Sequence, residues 1–334
     1  MKSSELFVTL GKWLDSNQDE VLALSKRALA ANPWFTIPNI KLALAGIQKE
    51  FLDSDNLEHW MSRYQLNSKN SRSVGLILAG NIPLVGFHDL LCTVIAGHRA
   101  IVKLSEKDDV LLPALMARMI DQFPEMQNKI YFTERLKHFD AVIATGSNQT
   151  AISFHKYFSD YPHIIRKNRN SIAVLTGHEE QEQMVQLGTD IFSFFGLGCR
   201  NISKIYVPRN YDFVPLLETL NTFKEVVDHS KYRNNYDYNL ASVIINQQAY
   251  MSNDCLIFIE SDLIPSRVAM LHYEYYDSLE ALKDKLAGHL DEIQCVVSNI
   301  DFPALPNVRF GQTQFPALDD YADGVDTMKF LQSL

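Results

Sequence analysis

"VGLILAG" (Val74–Gly80) is a continuous apolar run closed by a glycine. That is the pattern of a strand buried on both faces of a parallel sheet, not the alternation of a half-exposed one. Upstream, "LNSKNSRS" (Leu66–Ser73) is polar and reads as a linker. Before it, from Ser4 to about Tyr64, apolar residues recur three and four apart in "LFVTLGKWL" and "VLALSKRALA", with a break at Asn32-Pro33 and a restart after Thr36-Ile37-Pro38-Asn39. This segment is expected to be a helical cap or a dimerisation element. Downstream, helices and strands alternate: a helix from Phe87 to Ala96, a strand "AIVKLS" (Ala100–Ser105), a helix "VLLPALMARMIDQF", a strand "KIYF" and a strand "DAVIATGS" (Asp140–Ser147) leading into a helix. The series continues with "SIAVLTG" (Ser171–Gly177), a helix from Glu179 to about Phe195, and "ISKIYVP" (Ile202–Pro208). Such alternation specifies an α/β fold with a doubly wound parallel sheet and a second α/β unit starting near Gly177. The expected division is an N-terminal helical segment (1–70), a nucleotide-binding domain (71–177), a catalytic domain (178–300) and a turn-rich tail (301–334) that packs back or lies at an interface.

Composition narrows the partners. The 334 residues are 46% hydrophobic, enough for a sizeable core, and the net charge of -9 comes with Lys and Arg spread along the chain. That charge offers no footprint for nucleic acid and no attraction to an anionic membrane. Met1–Leu10 lacks the features of a cleaved leader, and no window approaches a membrane span, so the expected place is the cytoplasm. The cysteines Cys92, Cys199, Cys255 and Cys295 are far apart and form no metal-ligand pair, so neither a disulfide framework nor a zinc site is expected.

One of them stands apart. "SFFGLGCRN" (Ser193–Asn201) ends a helix in two glycines and then presents Cys199, where backbone can approach a ligand closely. Taken in order, this and four other stretches resemble the aldehyde dehydrogenase superfamily, and within it the fatty acyl-CoA reductases of bacterial bioluminescence. "AGNIPL" (Ala79–Leu84) resembles the strand-end asparagine motif, "IVKLSE" (Ile101–Glu106) the lysine-x-serine-glutamate strand, and "ATGS" (Ala144–Ser147) the threonine-glycine-serine turn. "FGLGC" resembles the nucleophile turn, and "IESDLIPSRVAMLHY" the glutamate-proline segment that holds the nicotinamide ribose. The resemblance covers about residues 70 to 280. It implies Cys199 as nucleophile and Asn81 as oxyanion donor. It also implies a nicotinamide cofactor contacted by Lys103, Ser105, Glu106, Gly146, Ser147 and Glu260, with no metal.

These residue types suit those roles. A thiolate needs its charge tolerated, which backbone N–H groups and Arg200 would supply, and the oxyanion made by its attack needs preorganised donors. Helix N-termini attract anions, so Gly146 and Ser147 would face a pyrophosphate. Each also has a plainer reading: Asn81 as a turn residue, Lys103 with Glu106 as a solvated pair, and Ser147 as a helix N-cap.

One departure sets the direction of the chemistry. Aldehyde-oxidising members carry a glutamate base where this chain reads Ile164-Ile165-Arg166-Lys167-Asn168-Arg169-Asn170, with no carboxylate. Without a base to activate water, a thiol such as coenzyme A is the better acyl exchange partner. The expectation is NAD(P)H-dependent reduction of an acyl-CoA or acyl thioester to an aldehyde through an acyl-cysteine. Aldehyde oxidation, or acyl transfer without hydride chemistry, are the rivals. Glu106 beside a ribose repels a 2′-phosphate, whereas the resemblance favours NADPH, so NAD and NADP both stay open. The cationic run Arg166, Lys167 and Arg169 is a further candidate for phosphate contacts. A homodimer or an acyl-donor protein is the expected macromolecular partner.

Overall fold

The computed structural model describes residues 3–66 and 71–334, so positions 67–70 of the expected linker lie outside the described residues. The chain divides into two units, Met1–Asn168 with Phe315–Leu334, and Arg169–Gln314.

The first unit begins with α1 (Ser3–Ser16), α2 (Gln18–Ala31), α3 (Ile37–Gly46), which runs on through a π turn at Ile47–Phe51, and α4 (Ser54–Met61). Thr36 caps α3 by accepting the Asn39 N–H, and Asp53 caps α4 by accepting the N–H groups of Asp55 and Asn56. The expected separate segment at 1–70 is not found. Phe7, Leu14, Phe35, Ile40, Leu57 and Trp60 are buried in one core with Val74 and Leu76. The cause is the apolar stripe on each helix, where burying one such side chain contributes about 1.5–3 kcal/mol.

That core supports a five-stranded parallel sheet of β1 (Ser73–Ile77), β2 (Arg99–Lys103), β3 (Ile130–Phe132), β4 (Ala141–Thr145) and β5 (His163–Arg166), in the order β3-β2-β1-β4-β5. The crossovers are α5 (Phe87–Ile95), α6 (Leu111–Gln122) and α7 (Asn148–Phe158). The edge strand β5 carried no strand signal, being four residues long and closed by an arginine; its pairing with β4 creates it. The tail splits: residues 315–334, including the helix Thr327–Gln332, return to this unit and bury Leu318, Tyr321, Met328 and Leu331.

The second unit carries β6 (Asn170–Val174), β7 (Ile202–Pro208), β8 (Met251–Ser252), β9 (Ile257–Glu260), β10 (Met270–Tyr276), β11 (Ile293–Ser298) and β12 (Asn307–Val308). Their order is β12-β11-β6-β7-β10-β9-β8, parallel except at β8. Because β6 pairs with β7 and β11, this unit starts at Arg169 and not after Gly177 as expected. Around the sheet lie α8 (Gln181–Phe192), α9 (Val214–Asn221), α10 (Ser230–Ile245) and α11 (Leu279–Ala287). No helix among the described residues is long and apolar enough to cross a membrane.

Candidate active site

In the first unit, six candidate residues sit beyond the carboxyl ends of three adjacent strands. Asn81 follows β1, Lys103 ends β2 with Ser105 and Glu106 just after it, and Gly146 and Ser147 follow β4. In the order 3-2-1-4-5 the winding reverses between β1 and β4. That switch point is where open α/β sheets bind ligands, outside the strand ends. Two glycines keep the crevice open to backbone. A Cβ on Gly80 would meet the Ser105 Oγ at 2.6 Å, and one on Gly146 would meet Thr150 at 3.0 Å. Ser147 is the N-cap of α7, its Oγ accepting the Thr150 N–H at 3.2 Å, so the plainer reading of this serine holds in part. Lys103, Glu106 and Asn81 are exposed.

Asp108 was not foreseen. Its Oδ2 accepts the Leu84 N–H at 2.8 Å, fixing the turn Asn81–Leu84 in which Leu84 itself adopts a left-handed φ of 58°. Burial pushes its carboxyl up to about 7, against the lowering pull of that hydrogen bond.

In the second unit, Cys199 occupies the turn that enters β7. The helix expected to reach Phe195 stops at Phe192, because Phe194, Phe195 and Gly196 take φ values of 51°, 59° and 73°. Left-handed backbone at two phenylalanines is costly and persists only where surroundings over-determine it. The clamp is Asn201, which is buried. Its Oδ1 accepts the Gly198 N–H at 2.8 Å, and its Nδ2 donates to the carbonyls of Asp190 at 3.0 Å and Ser193 at 2.8 Å. The Cys199 carbonyl accepts from the Ser171 Oγ at 3.0 Å. Asp190 extends the brace. Its carboxylate accepts the Gly311 N–H, the Thr313 N–H and the Thr313 hydroxyl at 2.7, 3.1 and 2.7 Å, while burial pushes it up to about 6. An asparagine two positions after a cysteine was the only local sign of this clamp; the loop at 311–313 left none.

No family model matches the chain. A long-chain acyl-protein thioester reductase of Vibrio harveyi is 25% identical over 237 residues, covering 65% of this chain and 47% of that protein. The chain thus spans about half the length of the curated relative it matches. Solved structures agree over far more of it. Aldehyde dehydrogenase 21 from Physcomitrella patens, solved with succinate, superposes with a TM-score of 0.68 over 99% of this chain and 83% of its own, at 9% identity. An aldehyde dehydrogenase of Mycobacterium tuberculosis complexed with NAD+ gives 0.64 over 90% and 74%, at 14% identity. This chain has the aldehyde dehydrogenase fold.

Within the aldehyde dehydrogenase fold, Glu260, the cationic run and Cys92 take the following places. The register pairs Glu260 with Tyr273 and Tyr273 with Ile205, so Glu260 is level with the middle of β7. That is roughly 10 Å along the strands from the level of Ile202, where the Cys199 turn enters. Glu260 is exposed and is not brought beside that turn. The crossover after it does return there, since the Ile264 carbonyl accepts from the Ser203 Oγ at 2.9 Å. The cationic run is also mostly taken up by the fold. Arg166 is buried in an ion pair with Asp89 at 2.5 Å and donates to the Thr327 hydroxyl at 2.9 Å, and Arg169 donates to the Leu290 carbonyl at 3.1 Å. Only Lys167 of the three is exposed. Finally, Cys92 lies 3.8 Å from the His88 Nε2 yet forms no reactive dyad, because burial raises the thiol and lowers the imidazole, keeping both neutral. No group of three or more metal-ligating side chains occurs among the described residues.

Proposed function

We propose that this chain reduces an acyl thioester to an aldehyde through an acyl-Cys199 intermediate, with NADH or NADPH as reductant. The reading rests on one observation above the others. Where aldehyde-oxidising members hold a glutamate base, this chain reads Ile164-Ile165-Arg166-Lys167-Asn168-Arg169-Asn170 with no carboxylate, and Arg166 within that stretch is buried against Asp89. With water poorly activated, the acyl-cysteine is open to exchange with thiols and to reduction rather than to hydrolysis. The name of the Vibrio harveyi relative, an acyl-protein thioester reductase, supports the same direction.

The chain's residues divide the work. The Cys199 thiolate attacks the thioester carbonyl and expels the carrier thiolate, which takes a proton from solvent. The oxyanion is assigned to a backbone N–H of the nucleophile turn and to the Asn81 amide; losing one such donor typically costs about 2.7–4 kcal/mol of barrier. A bound dinucleotide would supply hydride to the acyl carbon, after which the aldehyde leaves and Cys199 returns to its thiolate. Strand ends with small residues at Gly80 and Gly146 and the α7 N-terminus fit a pyrophosphate, and Lys103, Ser105 and Glu106 are assigned to the adenosine ribose. Glu260 keeps the ribose role that the resemblance implies. The substrate is an acyl-CoA or a protein-bound acyl thioester, and a homodimer or an acyl-donor protein is the proposed partner.

The test combines mass spectrometry with nicotinamide absorbance. Incubation with a long-chain acyl-CoA is expected to add one acyl group at Cys199, and addition of NADH or NADPH is expected to discharge it with loss of absorbance. Lack of an adduct at that residue overturns the proposal. An adduct that persists with either dinucleotide identifies acyl transfer without reduction.

A further inference from the structure

Two loops beyond the first sheet carry groups that the thioester reading uses, and one buried side chain joins them. The loop after β1 holds Asn81 and runs through Ile82-Pro83-Leu84 towards α5. The loop after β2 holds Ser105, Glu106 and Asp108 and leads into α6. Asp108 is only 6% exposed. Its Oδ2 accepts the Leu84 N–H at 2.8 Å, while no hydrogen-bond partner reaches its buried Oδ1. The charge acting on it is the like one of Asp109, and no cation pairs with it among the described residues. A carboxyl buried without a cation and with one oxygen idle costs stability. What that cost secures is the one group it bonds, the Leu84 N–H.

The turn needs securing. Leu84 has a φ of 58°, left-handed backbone that is costly for leucine and persists only where its surroundings over-determine it. Three restraints hold it there: its side chain is buried, its carbonyl accepts the Phe87 N–H at 2.9 Å, and its N–H is bonded to Asp108. Asn81 lies three residues before it and is exposed, so its direction follows the turn. The other end of the brace is equally fixed. The Asp108 N–H donates to the Ser105 carbonyl at 3.0 Å and the Lys107 N–H to the Ser105 Oγ at 3.3 Å. The Lys107 carbonyl accepts from the Nδ2 of buried Asn32 at 3.0 Å. On the other side of Asn81, a side chain at Gly80 would press on Ser105, in the dinucleotide loop, while the turn stays anchored at Leu84.

We propose that Asp108 is a positioning residue: through the Leu84 N–H it fixes the Asn81 amide relative to the Ser105–Glu106 loop, so that one braced unit carries both the oxyanion donor and the dinucleotide contacts. The inference rests on the thioester reading above and adds to it a residue that acts through another. A carboxyl keeps an acceptor for an N–H whether or not it holds its proton, and an amide keeps one too, whereas an aliphatic side chain has none.

Single-turnover acylation of Cys199 by a long-chain acyl-CoA, followed by quenched-flow mass spectrometry on the full chain, tests it. Asp108→Ala is expected to lower the maximal acylation rate at least about tenfold with the half-saturating concentration within about twofold, the signature of lost orientation rather than lost substrate binding. Asp108→Asn is expected to return the rate to within about threefold of wild type. In an Asn81→Ala background Asp108→Ala is expected to change nothing further, because the brace then has no amide to aim. Equal fold losses in both backgrounds, a loss confined to half-saturation, or a rate that ignores Asp108→Ala overturns the proposal. Should Asp108→Ala not fold, Asp108→Leu, which fills the site without an acceptor, is measured in its place with the same expectations. Hydrogen exchange of peptides spanning Gly80–Phe87 reports on the brace without any acylation. Protection there is expected to fall at least about tenfold in Asp108→Ala and to return in Asp108→Asn, and unchanged exchange overturns the proposal whatever the rates do. A wild-type protein that forms no adduct at Cys199 while its exchange responds removes the thioester reading, and the role of Asn81 with it, and leaves the brace between the two loops.

Discussion

The first unit presents its candidate groups on strand ends, whereas the second presents its nucleophile on a turn that strands alone would not hold. Asn81, Lys103 to Glu106, and Gly146 with Ser147 each lie within a few residues of the strand their own motif predicts, and the crevice needs only the clearance left by Gly80 and Gly146. Cys199 depends on buried side-chain hydrogen bonds: Asn201 to three backbone groups, and Asp190 to a loop more than a hundred residues away in sequence. The contrast follows from the two tasks. Binding an anion draws on backbone N–H groups that every strand-to-helix turn exposes, whereas a nucleophile must be held at one angle, and that takes fixed side chains.

Four experiments break or sharpen this contrast. Cys199→Ser is expected to lower turnover by at least about 10³-fold while dinucleotide binding, followed by calorimetry, stays within error; loss of both together would mean the two sites are not built independently. Asn201→Ala leaves one N–H and two carbonyls without their partner, so urea denaturation is expected to show a loss of about 3 kcal/mol. A loss below about 1 kcal/mol would show that the turn holds itself.

Next comes pH. The Asp108 carboxyl, pushed up to about 7 from an ordinary 3.8, keeps in the folded state a proton that the unfolded chain has already released. Its contribution to stability is complete below about pH 4 and is lost as pH rises through 7, a decline of about 2 kcal/mol between pH 5 and 7. Asp190, pushed up to about 6, adds a decline of the same sign that finishes at lower pH. Asp108→Asn is therefore expected to remove the part of the decline nearest neutrality, and an unchanged stability profile would refute the assignment. The smallest effect is expected of Gly80→Ala, whose Cβ would collide with Ser105. Dinucleotide affinity should fall about tenfold with acylation of Cys199 unaltered, and equal affinity would mean that the crevice tolerates a side chain there.

Local pattern accounts for most of the elements. The apolar run at Val74–Gly80 marked the first sheet, and α5 and β7 fall where their periodicity puts them; α3 starts at Ile37, earlier than the restart expected after Asn39, because Thr36 caps it. Three features escaped that reading for one reason, namely that long-range pairing outweighs local propensity. The strand at 163–166 exists because β4 offers it an edge, the strand at 170–174 belongs to the second sheet because β7 and β11 flank it, and α8 stops early because Asn201 pulls its last carbonyls into the turn. The charges of 166–169 misled in the same way: an arginine in sequence looks solvated, and Asp89 on α5 decides otherwise.

What the sequence determined by itself is the alternation of strands and helices, the position of the cysteine after its glycines, and the absence of a carboxylate at 164–170. These are properties of neighbouring residues, and the chain carries them wherever it folds. The tertiary structure alone decided the strand order that gathers Asn81, Ser105 and Ser147 at one switch point, the return of residues 315–334 to the first core, and the bracing of Cys199 by Asn201 and Asp190. Each of these joins groups far apart along the chain, and their meeting is set by which buried surfaces and hydrogen-bond partners are satisfied together.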